Sequence, residues 1–206
     1  MEQTGRENLF ERTTRMKYFY DTEFIDGGKT IDLISIGIVA EDEREFYAEA
    51  IDADLSSAND WVKENVIPHL WSRQVDKREG NAWFRDGGKG GLLFKRDIAN
   101  ELVRFIGSKE IGWTACGDFE EESPKPEFWG YYSAYDHVAL CQLFGTMMNL
   151  PKGWPMYTRD LKQLGDSLGN PELPRQDKDE HHALADARWN RDTYVWLMNY
   201  AKELIR

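Results

Sequence analysis

Three apolar segments follow one another between residues 17 and 51 with barely room for a turn between them, and this spacing constrains the fold more than any other feature. Residues 17–24 (KYFYDTEF) are aromatic, residues 31–40 (IDLISIGIVA) are β-branched, and residues 44–51 (REFYAEAI) resume the pattern. Such side chains favour strands. The links Asp26-Gly27-Gly28 and Glu41-Asp42-Glu43 are turn chemistry, far too short for a crossover helix, so the strands must alternate in direction. The chain is therefore expected to open with an antiparallel three-strand meander.

Beyond residue 51 the apolar period lengthens. Trp61, Val62, Asn65, Val66 and Leu70 suggest a helix interrupted near Pro68, and residues 92–106 (LLFKRDIANELVRFI) carry a clear 3.6-residue stripe. Residues 127–135 (EFWGYYSAY) read as a strand running straight into a helix over 136–145. Residues 157–168 read as a further helix, and residues 183–205 as a long amphipathic helix carrying Leu184, Ala187, Tyr194, Leu197, Ala201 and Leu204. The glycines of residues 85–91 invite a phosphate-loop reading, but no strand leads in and no GK[ST] appears, so a surface loop is expected. Residues 116–125 form an acidic loop. A meander followed by alternating helix and strand is an α/β architecture with a mixed sheet. At 206 residues and 24.0 kDa the chain suits one domain over 16–206, with residues 1–15 as a polar extension.

Charge narrows the function. With 37 acidic against 26 basic side chains the net charge is −11, which disfavours general polyanion binding. Acidity leaves open a local carboxylate cluster neutralised by divalent cations. No apolar run approaches the roughly 20 residues of a membrane span, and the polar N-terminus lacks a signal-peptide core, so a cytoplasmic protein without membrane association is expected. Cys116 and Cys141 fit neither a disulfide framework nor a CxxC zinc site and read as reduced thiols.

The carboxylates are where chemistry can reside. Asp21 and Glu23 alternate within the first strand, so both leave the same face, about 7 Å apart along the backbone. Acidic pairs also decorate solvated strands, but Tyr18, Phe19, Tyr20 and Phe24 mark this strand as apolar and central. Carboxylates there are costly unless a cation compensates them. Asp136, at the start of its helix, reads either as an N-cap or as a further ligand. Residues 179–187 (DEHHALADA) open the last helix. His181 lies five residues before Asp186, about 140° around an ideal helix, so the two converge only if His181 sits in the loop ahead of the first turn. His181 and His182 have no further Cys or His in a zinc pattern, and a pair of solvated helix-start histidines is the alternative.

Taken in order, YDTEF, SAYDHVAL and H-x-A-L-x-D-A resemble the three motifs of the DEDDh 3′-to-5′ exonucleases of the DnaQ-like, RNase H-like superfamily. MKYFYDTEF, IDLISIGIVAED and SAYDHVALCQLFG are similar, more narrowly, to the RNase AS family, bacterial exoribonucleases that trim adenylate-rich RNA 3′ ends. The likeness runs from Met16 to about Ala201. It implies an RNase H-like fold, with Asp21 and Glu23 as first-motif metal ligands, Asp136 as the second-motif ligand, Asp186 as the third and His181 as general base. It further implies two Mg²⁺ or Mn²⁺ ions per site, single-stranded RNA 3′ ends as substrate, and a homodimer. The N-terminal extension and the enlarged loops over 83–91 and 116–125 depart from the pattern and bear on substrate preference.

Four carboxylates can hold two hard cations about 4 Å apart, one activating water and the other stabilising the leaving oxygen. An imidazole, titrating near about 6.5 as a residue type, suits a general base. Reading a 3′ end needs aromatic faces for splayed bases. Phe24 is the first candidate, with core packing as its alternative, and Tyr135, His137 and Trp129 follow. Nothing in the residues separates ribose from deoxyribose, so a DNA 3′-5′ exonuclease, an oligoribonuclease and a catalytically silent nucleic-acid-binding module stand as alternatives.

Overall fold

The computed structural model describes residues 15–74, 89–107, 125–176 and 180–205. The opening meander is present as β1 (Lys17–Asp26), β2 (Ile31–Ala40) and β3 (Glu45–Ala50), paired antiparallel. Asp26 closes the first turn by accepting a 2.7 Å hydrogen bond from the Gly28 amide. Three parallel strands complete the sheet: β4 (Lys89–Leu93) beside β3, β5 (Glu127–Gly130) beside β1, and β6 (Arg159–Asp160) beside β5. Among the described residues the order is β4-β3-β2-β1-β5-β6, the mixed sheet of an RNase H-like α/β fold.

Strand alternation sends two sets of side chains to two helical layers. On one face Tyr18, Tyr20, Ile36, Ile38, Phe46 and Ala48 are buried against α3 (Lys95–Ile106) and α4 (Ala134–Leu143), through Ile98, Leu102, Phe105, Ala139 and Leu140. On the other, Val39 and Tyr47 receive Ala183, Leu184 and Ala187 of the long closing helix α6 (Ala183–Leu204). Each fully buried Leu, Ile or Phe contributes on the order of 2 kcal/mol, so the two layers hold the sheet from both sides. The start of α6 presses on β2 at Gly37. A Cβ there would lie 2.3 Å from the Ala183 carbonyl and the Leu184 nitrogen, so only glycine admits this approach.

Several element bounds differ from the sequence reading. The segment over 61–70 is α1 (Asp60–Asn65) followed by a 3-10 turn (Ile67–His69) containing Pro68, and then α2 (Trp71–Gln74). Leu92 and Leu93 belong to β4, and the helix starts only at Lys95, whose amide donates to Asp52. The helical stripe ran into the strand because an edge strand one face deep offers the same leucines. Residues 157–160 hold β6, and α5 (Leu161–Ser167) starts where the Asp160 carboxylate accepts from the Lys162 and Gln163 amides. β5 stops at Gly130, and α4 begins at Ala134. Asp136 is thus the third residue of that helix and not its first or its cap, which is Ser133. The aromatic run 128–135 mimics a longer strand, but Tyr132 adopts a left-handed φ of 53° and breaks it. The N-terminal extension up to residue 14, the glycine segment up to residue 88 and most of the acidic loop, residues 116–124, lie outside the described residues. Among the described residues no helix is long and apolar enough to cross a membrane.

Candidate active site

Among the described residues the C-terminal half of β1 has a paired strand on one side only. β5 pairs only with Lys17, Tyr18 and Phe19, so from Asp21 onward β1 borders an opening between α4 and α6. Gly130 makes the divergence possible, because a Cβ there would come within 2.6 Å of Ser133 Cβ and 3.1 Å of the Tyr20 carbonyl. That carbonyl instead accepts a 2.9 Å hydrogen bond from the buried amide of Asn190, one turn beyond Asp186 on α6. Asn190 therefore ties α6 to β1 at the site.

Around this opening the alternation of β1 works in both directions. Asp21 and Glu23 project toward α6, where Asp186 meets them, and the three carboxylates bring oxygen atoms within 4.8 Å of one another. Thr22 projects the opposite way, toward α4. There its amide and hydroxyl both donate to one oxygen of the buried carboxylate of Asp136, at 2.9 and 2.6 Å. Asp136 reaches the opening from the other face of the sheet, outside the tight trio yet near enough to disfavour ionisation of Asp21 and Glu23. A register shift between Glu23 and Phe24 ends the regular pairing at this point, the kind of irregularity that re-aims side chains next to functional sites.

Charge is concentrated here at a cost. Burial first, and then its neighbours Asp136, Asp186 and Glu23, hold the Asp21 pKa well above the ordinary carboxylate range. The same causes push Glu23 to about 8. Asp136 and Asp186 rise to about 6, again chiefly through burial, with the Thr22 bonds opposing the rise at Asp136 and Gln176 and His181 opposing it at Asp186. Among the described residues no Lys or Arg pairs with any of the four. An all-oxygen donor set, converging, half to fully buried and uncompensated by protein cations, fits hard divalent cations such as Mg²⁺ or Mn²⁺. Asp21, Glu23 and Asp186 are the three placed so that they could hold such a cation together.

The two histidines separate. His181 precedes α6 in left-handed backbone, φ 67°, a conformation that costs a non-glycine residue about 1–2 kcal/mol. Its amide donates to Asp186 at 3.1 Å, which holds the loop against that carboxylate, and its ring packs edge-on to Trp61. His182 is the N-cap of α6. Its Nδ1 accepts from the Ala185 amide, and its ring stacks on Tyr47 at 4.6 Å, away from the carboxylates.

Of the aromatic candidates, Phe24 and the exposed Tyr135 form a stacked pair, ring centres 5.9 Å apart, flanking Glu23 and Asp136 in sequence. His137 is buried in α4, where burial pushes its pKa down. Trp129 lies elsewhere, packed between Tyr194 and the Arg159 guanidinium. Sequence reasoning missed Gln176 and Asn190. The Gln176 amide donates to Asp186 at 2.6 Å and joins Tyr131, Arg175 and Trp189 in a cleft of about 490 Å³ that opens on Asp21, His181 and Asp186. Gln176 carries no motif signal. Asn190, four residues after Asp186, has the spacing of a neighbour on the same helix face and could have been found by it.

Comparison with known proteins agrees with this geometry. A family model described as the 3'-5' exoribonuclease Rv2179c-like domain matches residues 16–197. Two curated proteins of Mycobacterium tuberculosis, the 3'-5' exoribonuclease MT2234.1 of strain CDC 1551 / Oshkosh and the 3'-5' exoribonuclease Rv2179c of strain ATCC 25618 / H37Rv, are each 40% identical over 173 residues. That stretch covers 84% of this chain and 88% of each relative.

Proposed function

The chain belongs to the Rv2179c-like 3′-5′ exoribonuclease domain family, and on that premise we propose that it shortens single-stranded RNA from the 3′ end by the DEDDh pattern. Asp21, Glu23, Asp136 and Asp186 hold two Mg²⁺ or Mn²⁺ ions, and His181 is the general base. The observation that carries this reading is the convergence of three carboxylates, Glu23 buried and Asp21 and Asp186 partly buried, with no Lys or Arg paired to them among the described residues. When bound, the ions activate water and neutralise charge developing on the phosphodiester. His181 takes the water proton on its imidazole, and its strained loop, fastened to Asp186, fixes the ring's approach. Thr22 holds one oxygen of Asp136 so that the other faces the ligand. The Phe24–Tyr135 stack supplies a flat face for a splayed terminal base, and adenylate, which stacks strongly, is the preferred one.

The test is incubation of the purified chain with Mn²⁺ and 5′-labelled RNA and DNA homopolymers. Stepwise shortening of RNA from the 3′ end, fastest on oligoadenylate and stopped by a chelator, is the expected outcome. Equal rates on all RNA homopolymers would remove the base preference, and absence of any shortening with Mn²⁺ would remove the mechanism.

A further inference from the structure

Many of the described cations are already engaged. Lys17, Arg44, Lys95, Lys162, Arg188 and Arg191 each pair with a carboxylate. Arg15 and Lys125 have no carboxylate at ion-pair distance among the described residues, yet they line one pocket of about 190 Å³ together with Arg159, Tyr157, Glu127 and Phe128. Arg159 is held in place there. Its guanidinium lies 5.5 Å from the Trp129 ring centre and 5.9 Å from that of Tyr157, and it bonds Glu127 at 3.4 Å. Glu127 cancels one charge, which leaves an excess of two positive charges beside a tyrosine ring that is 55% exposed.

In a chain of net charge −11, cations brought together from separate segments with no carboxylate partner among the described residues repel one another unless an anion joins them. Cations for a phosphate with a free aromatic face for a base are the combination that binds single-stranded nucleic acid. The pocket sits at the start of β5, whose Glu127 lies level with Lys17, four residues before Asp21 on β1. Strand rise and spacing put it roughly 15 Å from the carboxylates, a span that a few nucleotides cover. We infer that this pocket is a second RNA contact, gripping a phosphate and its base in the strand upstream of the 3′ end. The inference rests on the exoribonuclease reading, since it concerns where the rest of that substrate runs.

The experiment compares wild type with Arg15→Glu/Lys125→Glu, and with Lys29→Glu/Arg96→Glu as a control of equal charge change at the opposite end of β1, by the β1–β2 turn. Hydrolysis of an RNA trinucleotide and of a long RNA is followed at several salt concentrations. The pocket variant is expected to raise KM for long RNA about tenfold and to reduce the salt slope by about 1.4, at ~0.7 for each lost phosphate contact on a single strand. Its kcat and KM on the trinucleotide should match wild type. Tyr157→Ala should weaken long-RNA binding about fivefold without altering the salt slope. An unchanged KM for long RNA, or a shift equal to that of the control, overturns the inference. So does a pocket that binds added nucleoside monophosphate while long-RNA KM stays put, because it would then hold product. Wild type that hydrolyses neither RNA with Mn²⁺ would instead refute the exoribonuclease reading.

Discussion

Glu23→Gln tests whether the carboxylate cluster is held together against its own charge. Glu23 is raised from its ordinary 4.5 to about 8, mainly by burial and then by Asp186 and Asp136. One pKa unit is about 1.4 kcal/mol, and at pH 7 the folded chain must hold on Glu23 a proton that the unfolded chain has released, which costs the metal-free fold about 3 kcal/mol over the interval from 4.5 to 7. Coulomb's law gives the same scale, since two carboxylates at the 4.8 Å limit of the cluster repel by about 3 kcal/mol at an effective dielectric of about 20. The sign follows from proton uptake. Below pH 4.5 the group is protonated in both folded and unfolded chains and costs nothing. Between 4.5 and about 8 the folded chain binds more protons than the unfolded one, so stability falls as pH rises. Urea unfolding in chelator should therefore find Glu23→Gln more stable than wild type by about 2–3 kcal/mol at pH 7, roughly 5–10 °C in Tm, and by under about 1 kcal/mol at pH 5. Mn²⁺ should stabilise wild type far more than the variant and close or reverse the gap. A Glu23→Gln protein less stable than wild type at pH 7 in chelator would mean that this carboxylate is satisfied by the fold itself, and the argument for cation binding would lose its energetic basis.

His181→Ala should lower kcat by about 10²–10⁴-fold while Mn²⁺ still raises its melting temperature, and His182→Ala should keep most activity but lose about 1 kcal/mol of stability with its helix cap; a larger activity loss in His182→Ala would reverse the assignment. Thr22→Val, which deletes the hydroxyl donor to Asp136, should reduce kcat about tenfold and Thr22→Ser should restore it, as steady-state rates will report. Gly37→Ala should cost about 3 kcal/mol or more in urea unfolding, because its methyl would meet the backbone that carries the start of α6; an unchanged midpoint would show that the helix can retreat without loss.

Local chemistry determined the meander, since aromatic and β-branched runs with polar links as short as residues 27–30 and 41–44 can close only as adjacent antiparallel strands. The alternation rule placed Asp21 and Glu23 on one face, and the five-residue spacing placed His181 ahead of α6, because both depend only on backbone geometry. What the chain could not reveal by itself is everything that depends on which segments become neighbours. The leucines at 92 and 93 join a parallel strand because β3 offers an open edge, a partner invisible in local periodicity. Asp136 lies in the first turn of α4 because Gly130 and Tyr132 end β5 early, where Gly130 passes close to both Ser133 and the Tyr20 carbonyl. Thr22 serves Asp136 and Gln176 serves Asp186 across gaps of 114 and 10 residues. Such contacts follow from the docking of α4 and α6 on opposite faces of one strand, and no motif records them, because a hydrogen bond between distant segments is fixed only once the sheet has set where those helices lie.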